Sequence, residues 1–122
     1  MPKKYQGIEA RRYPRISWNF IVKFRLKTSQ DSKWFISNIT NISQGGCFFY
    51  SPVPYEIGQT LEVEIQFPRL TQPMHFLGEV RRKVDEENAL NSRYGIAVMF
   101  LEMEEEKRKE FLESIDFFLK KR

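Results

Sequence analysis

From Ile16 to Lys27 the chain alternates. Ile16, Trp18, Phe20, Val22, Phe24 and Leu26 fall on one side of an extended backbone, and Ser17, Asn19, Lys23, Arg25 and Lys27 mostly on the other. A period of two over twelve residues, carried by aromatic and β-branched side chains, specifies a strand with one face in a core and one in water. The segment TLEVEIQF, residues 60–67, repeats the pattern with Leu61, Val63, Ile65 and Phe67 set against Glu62, Glu64 and Gln66. A helix would scatter these apolar positions around its circumference.

Four further segments read as strands: KWFISNI (33–39), CFFY (47–50), MHFLGEVRRKV (74–84) and RYGIAVMF (93–100). The polar stretch TSQDS precedes the first of them, and Pro52 and Pro54 end the second, because proline has no N–H to give to a ladder. The last twenty residues change period. Phe111, Leu112, Ile115, Phe118 and Leu119 recur at helical spacing, acids gather at the start and Lys120, Lys121 and Arg122 at the end, which suits the helix dipole. Six short strands in one small chain predict an all-β fold, a barrel or a sandwich, followed by a C-terminal helix over about 103–120. An apolar helical stripe usually buries against its own core, here an open end of the barrel; pairing with a second chain is the alternative.

With 122 residues, 41% of them hydrophobic, the chain fits one domain. Cys47 and His75 are single, so neither an internal disulfide nor a Cys/His zinc cage is expected, and no metal or cofactor. No apolar stretch has the length of a signal peptide or a membrane span, and the expectation is a soluble, cytoplasmic protein. Without an export signal, the two matches to the N-glycosylation pattern, at Asn38 and Asn41, are read as accidental. His75 sits in an alternating strand, and the carboxylates cluster on the helix and at 85–88, where solvation explains them. No catalytic residues are identified, and the expectation is a protein that is not an enzyme.

Two segments carry a binding signal. In ARRYPRI, Pro14 disfavours a helix, so Arg11 to Arg15 reads as an extended or turned arm preceding the first strand. Guanidinium forks can donate paired hydrogen bonds to a phosphate or to the O6 and N7 of guanine. The net charge of +4, from 20 basic and 16 acidic residues, also leans towards anionic partners. The complementary half is NITNISQGG, residues 38–46. Asn41 and Ser43 can bond nearby backbone, and Gly45 and Gly46 permit positive φ and a close approach of the main chain to another molecule. Each segment alone has an ordinary reading, as a solvated tail and as a connecting turn.

Together they resemble the paired signature of the PilZ domain family, RxxxR and (D/N)xSxxG, here Arg11-x-x-x-Arg15 and Asn41-x-Ser43-x-x-Gly46. GEVRR and YGIAVMF look like the family's later strands, and the resemblance covers nearly the whole chain. It implies a stand-alone bacterial domain folded as a six-stranded antiparallel β-barrel with a C-terminal helix, with residues 1–15 as a flexible arm and 16–122 as the barrel and helix. It also implies binding of the second messenger cyclic di-GMP. Arg11 and Arg15 would contact guanine edges and phosphates, Asn41 and Ser43 would bond guanine or phosphate oxygens, and Gly46 would keep the turn open. Arg12 is a possible additional contact. Ala10, ahead of the arginine motif, leaves the number of bound ligands open. The implied output is a conformational change relayed to an unidentified protein effector, by a monomer or homodimer. Two alternatives differ in kind: a PilZ-fold adaptor that binds no nucleotide, and a single-stranded nucleic-acid barrel using its aromatics, 15% of residues. The second is less favoured, because Trp18, Phe20 and Phe24 lie on the face that a core requires.

Overall fold

The computed structural model describes residues 20–28, 33–68, 70–87 and 92–121. Strand β1 is Phe20–Leu26, β2 Phe35–Ile42, β3 Gly46–Ser51, β4 Thr60–Gln66, β5 Met74–Glu87 and β6 Ser92–Phe100; helix α1 is Glu105–Lys121. Every pairing is antiparallel, and the order around the closed barrel is β1-β2-β3-β6-β5-β4, with β4 returning to β1. Two three-stranded meanders, β1-β2-β3 and β4-β5-β6, are therefore joined along two seams, β3 with β6 and β1 with β4. This is the six-stranded barrel with a C-terminal helix that the family resemblance implied; the alternation alone allowed a sandwich as well. Closure leaves no open edge to pair with other chains.

The alternation places the core. Phe20, Val22 and Phe24 of β1 are buried while Ile21 between them is 52% exposed, and Leu61, Val63 and Ile65 of β4 are buried between outward acids. Ile16 and Trp18, the first two positions of the pattern, lie outside the described residues. Strand β2 breaks the period. Ile39 pairs with Phe49 and Asn41 with Phe48, so Thr40 is the extra residue of a β-bulge. Ile39 and Ile42 are both fully buried although three residues apart. Strict alternation would turn one of them to water.

The bulge also corrects an expected boundary. The second strand was predicted to end at residue 39, leaving Asn41 in a turn; instead β2 continues to Ile42 and Asn41 is a strand residue. A second bulge lies in β5, where Val80 pairs with Val98 and Arg82 with Ala97.

Aromatic side chains fill both ends of the barrel. At one end, where β1 and β5 begin and β2, β4 and β6 finish, Phe111 of α1 sits 5.0 Å from Phe76, 5.3 Å from Phe100 and 6.0 Å from Phe67, ring centre to ring centre. Phe111 and Ile115 are buried, each burial contributing roughly 1.5–3 kcal/mol, so this face of α1 completes the core. The side chains of Phe118 and Leu119 lie outside the described residues. Glu105 and Glu106 occupy the first turn, at the positive end of the dipole. At the other end Tyr55, 4% exposed, sits edge-on to Phe24, and burial pushes its hydroxyl up to about 12. The turn beside it is closed by Gly58, whose φ of 98° is a left-handed conformation that favours glycine.

Candidate functional site

The turn from Ser43 to Gly46 joins β2 to β3 at the end of the barrel that α1 covers. The Ser43 N–H donates to the Gly46 carbonyl (2.9 Å), and the Ser43 Oγ accepts from the Gly45 N–H (3.3 Å). The hydroxyl thus closes its own turn through a lone pair, and its proton is left for another acceptor. The turn is also fastened to β6, because the Phe100 N–H donates to the Gly45 carbonyl at 2.9 Å.

Gly46 has a reason of a different kind from the one expected. A Cβ built there would stand 2.0 Å from the Val98 carbonyl oxygen and 3.1 Å from its carbon. The adjacent strand, rather than a left-handed φ, demands glycine; among the described glycines the positive φ belongs to Gly58.

Asn41 lies on the outer face of β2, since its cross-strand partner Phe48 alternates with the inward-facing Cys47 and Phe49. The neighbouring Thr40 is committed to structure, its hydroxyl donating to the Phe48 carbonyl at 3.1 Å. Among the described residues the Asn41 carboxamide has no hydrogen-bond partner. One acceptor and two donors therefore remain for something else. Thr40 was not singled out from the sequence; the signal that could have found it is the three-residue spacing of Ile39 and Ile42. A surface cavity of about 470 Å³ separates the turn from α1, lined by Gln44, Arg108, Lys109, Leu112 and Asp116 among others.

Asn41, Ser43 and Gly46 are thus brought together at one hairpin. Arg11, Arg15 and the additional candidate Arg12 lie outside the described residues.

The opposite wall holds a different arrangement. Arg25 Nε lies 3.3 Å from Glu62 Oε2, His75 Nε2 lies 3.1 Å from Glu62 Oε1, and the Arg25 guanidinium stacks 4.3 Å over Trp34. Burial works against charge on Glu62, but the hydrogen bond with His75 and the charge of Arg25 outweigh it and hold the carboxyl below the usual range. Lys107 of α1 donates to the His75 carbonyl, tying the helix to this wall. Cys47 is buried and its thiol pushed well up by that burial, which removes it as a nucleophile. Among the described residues no group of three or more His, Cys, Asp or Glu is placed to hold a metal ion, and no helix is long and apolar enough to cross a membrane.

Compared with known proteins, the chain matches the family model of the PilZ domain over residues 9–117. Among solved structures, the Bacillus subtilis inhibitor of motility MotI/DgrA is 20% identical with a TM-score of 0.69; the match covers 92% of this chain and 52% of that one. The PilZ domain with c-di-GMP of YcgR from Escherichia coli is 18% identical with a TM-score of 0.68, covering 91% and 92%. The K. pneumonia MrkH–c-di-GMP complex is 18% identical with a TM-score of 0.65, covering 91% and 54%. The chain spans about half the length of the first and third of these, and at such identities the likeness establishes the fold. No curated protein matches by sequence.

Proposed function

The chain belongs to the PilZ domain family, and from that premise we propose that it is a receptor for cyclic di-GMP, held between an N-terminal arm bearing Arg11 and Arg15 and the hairpin bearing Asn41, Ser43 and Gly46. The binding is not accompanied by chemistry on the ligand. The observation that carries this reading is the register of β1 on β2. Phe20 pairs with Ile39, two residues before Asn41, so the chain enters β1 at the end of the barrel where the hairpin turns. Arg15 is five residues ahead of Phe20 and Arg11 nine, reaches of at most about 17 and 30 Å at roughly 3.3 Å per residue. Both arginines can therefore arrive at the hairpin.

On this reading the arm closes over the dianion, and the charge-assisted hydrogen bonds of two guanidiniums offset the entropy lost in ordering it. The altered surface is then offered to a protein effector. Titration calorimetry with cyclic di-GMP, run beside thermal melts, tests the reading. Arg11→Ala or Arg15→Ala should weaken binding about 10- to 100-fold, with the melting temperature unchanged because the arm precedes the core. Unchanged affinity in both variants would sink the proposal.

One observation favours the second reading, an adaptor that binds no nucleotide. Gly46 is required by the Val98 carbonyl whether or not a ligand is present, so that part of the motif would be retained for folding alone. Wild-type protein showing no heat of binding would decide for the adaptor.

A further inference from the structure

The bulge in β5 interrupts the alternation where two arginines stand together. Val80 faces the core, and with Arg81 as the extra residue both Arg81 and Arg82 are exposed on the outer face. Register fixes what lies beside them. Arg82 pairs with Ala97, Ala97 with Phe48, and Phe48 with Asn41, giving one row across four strands of the outer wall. Three interstrand steps of about 4.8 Å put roughly 14 Å between the ends of that row, a span suited to a cyclic dinucleotide.

The middle of the row is low. Ala97 and Gly46 present little or no side chain there, and the Phe48 ring leans across Gly95, where a Cβ would come within 2.4 Å of its Cζ. The Arg81 guanidinium points the same way: its Nη1 donates to the Met99 sulfur at 3.1 Å, and Met99 is the cross-strand partner of Gly46. Neither arginine forms an ion pair with a described residue. Glu79, which also pairs with Met99, shares this rim without bridging to either of them. A carboxylate beside two guanidiniums complements guanine, which offers the O6 and N7 acceptors and the N2 donor on different edges.

We propose that Arg81 and Arg82 form the far rim of the nucleotide site, gripping a phosphate or a guanine edge from β5 while Asn41 and Ser43 hold the ligand from the β2–β3 hairpin. The proposal rests on the receptor reading above. It adds to that reading a cationic contact on the barrel itself, independent of the arm.

Calorimetric titration of the full chain with cyclic di-GMP tests it. Arg81→Gln/Arg82→Gln should weaken binding by about tenfold or more with an unchanged melting temperature, and Arg81→Lys/Arg82→Lys, which keeps charge but not the fork, should fall between. Lys23→Gln/Lys33→Gln removes the same charge elsewhere and should stay within about twofold of wild type at physiological salt. Wild-type affinity in the glutamine pair, or an equal loss in the Lys23/Lys33 control, overturns the rim. If the glutamine pair fails to fold, the lysine pair decides, and wild-type affinity there counts against the proposal. Binding lost with Arg11→Ala but retained in the glutamine pair leaves the receptor standing and removes the rim alone. No binding by wild type removes both.

Discussion

Arg25 and Arg81 both project outward from barrel strands, and they are used in opposite ways. Arg25 is held between Glu62 and the Trp34 ring, and Glu62 is shared with His75, so on the wall of β1, β4 and the start of β5 this guanidinium is already engaged. On the wall of β2, β3, β6 and the middle of β5, Arg81 meets a thioether, Arg82 meets no carboxylate among the described residues, and the Asn41 carboxamide is without a described partner. A guanidinium already engaged by a carboxylate must break that contact before it can serve an anion from solution. An unengaged one need not. On the receptor reading, the same residue types thus build a structural wall and a receptive one.

The contrast can be broken most severely at Gly46, where even the receptive wall is structural. Gly46→Ala sets a methyl against the Val98 carbonyl oxygen and should cost on the order of 3 kcal/mol, read as a lower urea midpoint. Wild-type stability would mean that β3 and β6 can separate locally. On the structural wall, Glu62→Ala should cost about 1 kcal/mol by removing the carboxylate that Arg25 and His75 share, with ligand affinity unchanged.

The pH dependence has a definite sign. The Glu62 carboxyl is held below its ordinary value of 4.5 in the folded chain, so its contribution is present above that value and is lost as pH falls through the lower folded one. Between pH 7 and pH 3, Glu62→Gln should therefore lose less stability than wild type; equal losses would remove Glu62 from the account. The smallest effect on stability is expected at Asn41→Ala, within about 0.5 kcal/mol by urea denaturation, because no described partner is abandoned. A larger loss would show that the carboxamide is structural after all.

Period-two patterning made most of the barrel legible. Phe20, Val22 and Phe24, like Leu61, Val63 and Ile65, needed no other information to be placed inside. What the pattern could not reach were the two places where the period slips. Thr40 and Arg81 are surplus residues whose presence is decided by the partner strand, a long-range fact with no local cause. The slip at Thr40 moved Asn41 from a turn into a strand, and the slip at Arg81 set two arginines on one face where alternation would have sent one inward. Ser43 was legible as a turn residue because its hydroxyl acts within two residues of itself. Gly46 was legible as a glycine for the wrong reason, since the oxygen it avoids belongs to a strand some fifty residues later in the chain.

The two seams carry a consequence for biosynthesis. Asn41, Ser43 and Gly46 emerge from the ribosome early, yet the strand that backs them, β6, is translated only after β4 and β5. Until then the hairpin has neither the Val98 carbonyl beside it nor the Phe100 amide clasping its bend, and the sheet gapes along one side. On the receptor reading, a nascent chain therefore spells out its recognition motif long before the closing strand that supports it.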